Sequence, residues 1–141
     1  MMRAPLVLVV EDNEVNQLLT ASVLGREGFE VDIAATAEQA VEHLRARTPD
    51  LILMDVQLPG MDGIALTRRL KADPATAQIV VVALTAHAMT GDREQTLAAG
   101  CAGYISKPID TRTFGNQVRA FLRPSVPSTG PTRTDATLSG T

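Results

Sequence analysis

Apolar residues along the chain fall into short runs separated by stretches with helical spacing. The run Leu6–Val10 is rich in β-branched residues and predicts a first strand, ended by Glu11-Asp12-Asn13. From Glu14 the period changes, and Val15, Leu18, Leu19, Ser22 and Val23 are expected to share one helical face. Gly25 and Gly28 punctuate the end of that helix. Glu30–Ala34 alternates polar and apolar, as an edge or half-buried strand does. Thr36-Ala37-Glu38-Gln39 fits a capping box, and Ala40, Val41 and Leu44 supply an apolar face up to Arg47. Pro49-Asp50 breaks the chain before the uninterrupted apolar run at 51–54, which stops abruptly at Asp55 and breaks again at Pro59-Gly60. Such a run suits a strand buried on both faces of a parallel sheet.

Ile64, Leu66 and Leu70 mark a helix to about Lys71, and Asp73-Pro74 signals a turn. Residues 79–84 are the most strand-like segment and end in Thr85-Ala86-His87. Thr90 is expected to cap a weak helix through Leu97, stopped by Gly100. A short strand at 103–106 runs into Lys107-Pro108. Asp110 or Thr111 then caps a last helix with Phe114, Val118, Phe121 and Leu122 inward. Strands and helices thus alternate about five times, which implies an α/β parallel sheet with helices on both faces and right-handed connections.

Composition narrows the picture. At 141 residues the chain is long enough for one domain, expected over 1–123. Residues 124–141 are rich in Pro, Ser, Thr and Gly and nearly free of large apolar side chains, so a disordered tail without an output domain is expected there. Aromatics are 3% and Trp is absent, which disfavours base-stacking readers of nucleic acid. A net charge of -3 gives no general attraction to DNA or to an anionic membrane surface. Cys101 is the single cysteine, so a reduced cytoplasmic protein is the simplest expectation. The apolar run after Met1 meets Glu11-Asp12 too soon for a signal peptide or membrane span.

Ligands of open parallel sheets bind outside the carboxyl ends of the strands. Those ends carry Glu11-Asp12, Asp55, Thr85 and Lys107. Taken singly, each has a plainer reading, as a turn-starting residue or a solvated surface charge. Together they would supply one crevice with complementary groups from four strand ends. Converging carboxylates resist joint ionisation, and a hard divalent cation relieves the repulsion. The absence of a His/Cys cluster points to Mg²⁺, with Mn²⁺ as a substitute. Asp55 would then act as a nucleophile toward phosphorus, with Lys107 answering the charge on the transferring group and Thr85 donating a hydrogen bond to it.

Four segments carry a resemblance: Val9-Val10-Glu11-Asp12-Asn13, the stretch from Leu53-Met54-Asp55 to Met61-Asp62-Gly63, Ala83-Leu84-Thr85-Ala86, and Tyr104-Ile105-Ser106-Lys107-Pro108-Ile109. The chain, from Leu6 to Leu122, resembles a CheY-like receiver domain of a two-component response regulator. The resemblance implies a flavodoxin-like, doubly wound (βα)5 sheet of strand order 2-1-3-4-5. It implies that Asp55 is phosphorylated by a histidine kinase or phosphotransfer protein. It also implies Mg²⁺ on Asp12, Asp55 and the backbone carbonyl of Gln57, with Glu11 acting through water. Lys107, Thr85 and Ala86 would bind the phosphoryl group, and the Lys107-Pro108 bond would be cis. Thr85 and Tyr104 would be the switch pair. The readout face would be bounded by Thr90 and Leu122, and a homodimer through that face is compatible. Gln57 and His87 are expected to tune dephosphorylation, since both would flank the path of an attacking water.

A stand-alone receiver that signals by protein contacts is the leading expectation, not an enzyme beyond self-phosphorylation and autodephosphorylation at Asp55. The receiver segment of a hybrid histidine kinase or a phosphorelay shuttle is an alternative. A phosphohydrolase with an Asp nucleophile is another, but it usually wants a second carboxylate two residues on, where Gln57 stands.

Overall fold

A computed structural model of the chain describes residues 4–56, 63–85 and 92–122. Its elements run β1 (Leu6–Val10), α1 (Glu14–Arg26), β2 (Glu30–Ala34), α2 (Ala37–Ala46), β3 (Leu51–Asp55), α3 (Gly63–Ala72), β4 (Val80–Thr85), α4 (Asp92–Ala99), β5 (Gly103–Ser106) and α5 (Phe114–Leu122). The strands form one parallel sheet in the order β2-β1-β3-β4-β5, the flavodoxin-like arrangement expected. The chain winds outward from β1 to β2, then back across to β3. That reversal opens a crevice at the carboxyl ends of β1 and β3.

β1 and β3 are buried along their whole length and β4 along nearly all of it, which explains their unbroken apolar runs. β2 pairs only with β1 and is half exposed, which explains its alternation. Successive side chains point to opposite faces. Val7, Val9, Leu53 and Leu84 therefore meet Val23 and Leu24 of α1 and Phe114 and Val118 of α5. Leu8, Ile52, Met54 and Ala83 meet Ala40 of α2 and Leu66 and Leu70 of α3 on the other face.

The first helix departs from expectation. Val15 and Leu18 are 73% and 70% exposed, whereas Thr20, Val23 and Leu24 are buried. The helix carries two apolar stripes, both with helical spacing. Packing on the sheet selects the one through Val23 and Leu24 and leaves Val15, Leu18 and the solvent-facing Ser22 outside. The same helix runs through Gly25 to Arg26 and is capped at Glu27, and Gly28 in the following turn has a φ of 94° that suits glycine. Thr36 caps α2 by accepting from Gln39 N–H at 3.1 Å, while Gln39 Oε1 accepts from Ala35 N–H, one residue before the cap. α5 begins at Phe114, after a turn in which Thr113 and Phe114 N–H both donate to the Asp110 carbonyl. The expected cap Thr90 and the tail at 124–141 lie outside the described residues.

Candidate functional site

Register brings the acidic residues together. Val10 lies opposite Met54, so Glu11 and Asp55 follow at one level on adjacent strands. They share the parity of Val9 and Leu53 and face the α1–α5 side. Lys107 is reached just past β5, where its N–H donates to the Thr85 carbonyl at 2.9 Å and extends the ladder. The Lys107–Pro108 peptide bond is cis. Lys107 Nζ donates to Asp55 Oδ2 at 2.9 Å and lies 3.1 Å from Glu11 Oε1. Glu11 and Asp55 are almost wholly buried, and Asp12 is exposed at the mouth.

Glu11 is the electrostatically stressed group. Burial pushes its carboxyl above the ordinary range, and its hydrogen bond with Asp55 adds to the rise, while Lys107 opposes it. For Lys107, burial alone would lower the pKa, but hydrogen bonds to Asp55 and Glu11 outweigh it and raise the value. The second Glu11 oxygen, Oε2, accepts from Asn13 N–H at 3.2 Å. Oε1 is buried, and among the described residues it faces only the Lys107 ammonium, which it shares with Asp55.

These facts test whether a hard cation fits. One carboxylate oxygen from each of Glu11, Asp12 and Asp55 lies within 4.8 Å of the others. Three carboxylates against one ammonium leave two negative charges, which one divalent cation would match. The donors are all oxygen, as Mg²⁺ prefers. Buried Glu11 Oε1 and Asp55 Oδ2 share one ammonium between them, a further mark that the cluster can take another positive partner. The residues present fit the cation.

The surroundings make the crevice accessible on one side and rigid on the other. A cavity of about 210 Å³ between α1 and the segment after β5 is lined by Glu11, Leu19, Leu84, Lys107, Pro108 and Ile109. Beneath Asp55, Gly63 opens α3. Its N–H donates to the Val56 carbonyl at 2.8 Å, and a methyl group there would overlap the Asp55 carbonyl. Only glycine permits that approach.

Of the residues expected at the site, Glu11, Asp12, Asp55 and Lys107 are brought into one cluster. Thr85 is buried at the adjoining end of β4. Tyr104 lies opposite Ala83 and is half-buried against the α2–α3 core. Thr85 and Tyr104 share the parity of Ala83, so they occupy the sheet face opposite Glu11 and Asp55. Gln57, Ala86 and His87 lie outside the described residues. Sequence reasoning missed Gln17, whose side-chain amide donates to the Glu11 carbonyl at 2.6 Å, and the helix-capping role of Asn13, which accepts from Asn16 N–H at 3.0 Å. The N-cap preference for Asn was a signal available for the second. A glutamine in a helix carries no such mark. Among the described residues, no helix is long and apolar enough to cross a membrane.

Comparison with known proteins agrees with this geometry. Residues 7–119 match the family described as the response regulator receiver domain. The polar-differentiation response regulator DivK of Brucella ovis is 40% identical over 116 residues, covering 82% of this chain and 94% of that protein. A putative response regulator from Chloroflexus aurantiacus superposes with a TM-score of 0.81 at 29% identity, covering 85% of this chain and 98% of that one. The receiver domain of sensor histidine kinase PA1611 from Pseudomonas aeruginosa, solved with a magnesium ion coordinated in its active-site cleft, gives 0.78 at 35% identity over the same shares. With its sheet order, its acidic cluster and its lysine at the end of β5, the chain belongs to the response regulator receiver-domain family.

Proposed function

We propose that Asp55 accepts a phosphoryl group from a phosphohistidine on a partner kinase or phosphotransfer protein, and that the modified domain signals through protein contacts. One observation carries the reading: a buried carboxylate at a strand end is held at 2.9 Å by a lysine from another strand end, beside two further acids. An oxygen of Asp55 attacks phosphorus, forming an O–P bond. The P–N bond breaks and its electron pair leaves with the imidazole nitrogen. The strand holds Asp55 rigidly, so little ordering remains to be done at the moment of transfer. Lys107 is placed to answer the charge spread over the transferring oxygens.

Asp12 and Asp55 would hold Mg²⁺, or Mn²⁺ in its place, with the Gln57 backbone carbonyl as a further ligand and Glu11 acting through water. When bound, the ion supplies Lewis-acid neutralisation of phosphoryl oxygens. The magnesium in the related PA1611 cleft supports this assignment. Thr85 and Ala86 would bind the phosphoryl group. Tyr104 would follow Thr85, biasing a pre-existing equilibrium toward the active form. Gln57 and His87 would set the lifetime of that form, which is checked by dephosphorylation rates of Gln57→Ala and His87→Ala. The exposed Val15, Leu18 and Leu19 of α1 offer an incoming donor protein an apolar footing beside the crevice. The readout face, bounded by Thr90 and Leu122, would carry the signal to a downstream protein or a second copy of the chain.

The test is phosphotransfer from an autophosphorylated histidine kinase to wild type and to Asp55→Asn. Label is expected on wild type alone, and only with Mg²⁺ present. Label retained on Asp55→Asn would overturn the assignment.

A further inference from the structure

Asp12 is the exposed member of the acidic cluster, and its carboxylate makes no hydrogen bond or ion pair with any described residue. Its position therefore depends on the backbone that carries it. That backbone is held from both sides. Glu11 N–H donates to the Ala34 carbonyl of β2 at 2.9 Å. The Glu11 carbonyl, which belongs to the Glu11–Asp12 peptide, accepts from Gln17 Nε2 at 2.6 Å. Gln17 also closes the loop through its own backbone, since its N–H donates to the Asn13 carbonyl at 2.9 Å. Asn13 N–H in turn donates to Glu11 Oε2. Residues 11–17 thus form a ring of hydrogen bonds. Among its members, Gln17 contributes the side-chain bond that fixes the plane of the Glu11–Asp12 peptide. A rotation of that plane swings the Asp12 side chain away from Asp55 while leaving the helix intact.

We infer that Gln17 is a positioning residue for the acidic cluster, holding the Glu11–Asp12 peptide so that both side chains meet Asp55 in a geometry ready for a divalent cation. The inference rests on the cation reading given above. Groups that orient first-layer ligands typically change metal affinity by roughly 10- to 100-fold when removed. Gln17 lies one bond further back, acting on the backbone that carries Asp12, so the lower end, about 10-fold, is expected. Methionine has nearly the length of glutamine and lacks the amide donor, which makes Gln17→Met the discriminating variant.

Two readouts separate positioning from a general loss of stability. Mn²⁺ affinity is measured on the purified chain by electron paramagnetic resonance. Backbone amide resonances of Asp12 and Asn13 are followed in metal-free protein. Lys71→Met serves as the destabilised control, because Lys71 Nζ joins α3 to the Ala77 and Ile79 carbonyls far from the acids. The expected result is weaker Mn²⁺ binding and shifted or broadened Asp12 and Asn13 amides in Gln17→Met, with wild-type affinity in Lys71→Met. Wild-type affinity in Gln17→Met overturns the inference, as does equal weakening in Lys71→Met. Asp12→Asn and Asp55→Asn test the foundation. If both lose Mn²⁺ binding while Gln17→Met keeps it, the cation reading stands and the role of Gln17 falls. If both keep wild-type binding, the cation reading falls and takes the inference with it.

Discussion

Glu11 is the residue at which the electrostatics can be read without a ligand. Its pKa in the folded chain lies above the ordinary carboxyl value of 4.5 because burial and Asp55 both favour the protonated form. The folded state therefore binds the proton more tightly than the unfolded chain does. That contribution to stability is fully present below pH 4.5 and is lost as pH rises through the raised value. In metal-free protein this contribution should accordingly fade as pH climbs out of the carboxyl range, and Glu11→Gln should remove it from the pH dependence of stability. Urea titrations of both proteins across this window check it, and an unchanged slope in Glu11→Gln would place the titrating group elsewhere. Lys107 has the same sign at the other end of the scale: its pairing persists through neutral pH and is lost only as pH rises beyond the ordinary lysine value of 10.5. Glu11, Asp12 and Asp55 were legible in the sequence because they end apolar runs, and Lys107 because it follows the short strand-like segment 103–106. Gln17 was not, because a helical glutamine that reaches back to a carbonyl looks like any solvated one.

At the scale of elements, α1 shows where periodicity stops being informative. The stripe through Val15 and Leu18 and the stripe through Val23 and Leu24 both obey helical spacing, and only the second is packed. Leu24→Ala should cost about 2–5 kcal/mol, as truncation of a buried leucine does. Leu18→Ala should stay within about 0.5 kcal/mol, because its side chain is largely in water. Chemical denaturation of the two variants distinguishes the stripes, and comparable losses would contradict the packing described. Gly63 is the matching case for α3. Sequence reasoning included it in a motif, but its reason is tertiary: the first residue of the helix passes against the Asp55 carbonyl with no room for a methyl group.

Across the whole molecule, side-chain parity puts two groups of site residues on different faces of the sheet. Glu11 and Asp55 lie on the α1–α5 side, and Thr85 and Tyr104 take the opposite parity. A phosphoryl group on Asp55 would act across the sheet through Thr85, the buried end of the strand beside it. Tyr104 is the single tyrosine in a chain without tryptophan, so intrinsic fluorescence reports on one ring. Adding Mg²⁺ with beryllofluoride, a phosphoryl mimic, should change that emission in wild type, and Thr85→Ala should largely abolish the change while Asp55 still binds the mimic. An equal change in Thr85→Ala would uncouple Tyr104 from Thr85.

The sequence by itself determined the alternation of strands and helices, the burial of the central strands and the polar group at four of the five strand ends. All of these are local: they follow from side-chain period and from where an apolar run stops. Tertiary structure decided which stripe of α1 packs, why Gly63 must be glycine, and how Glu11, Asp55 and Lys107 come within a few ångströms of one another. Those outcomes depend on the register of β1 against β3 and on the cross-sheet reach of the segment after β5, which relate residues far apart along the chain. No local period encodes such distances. They are set when the strands pair and the two helical layers close over them.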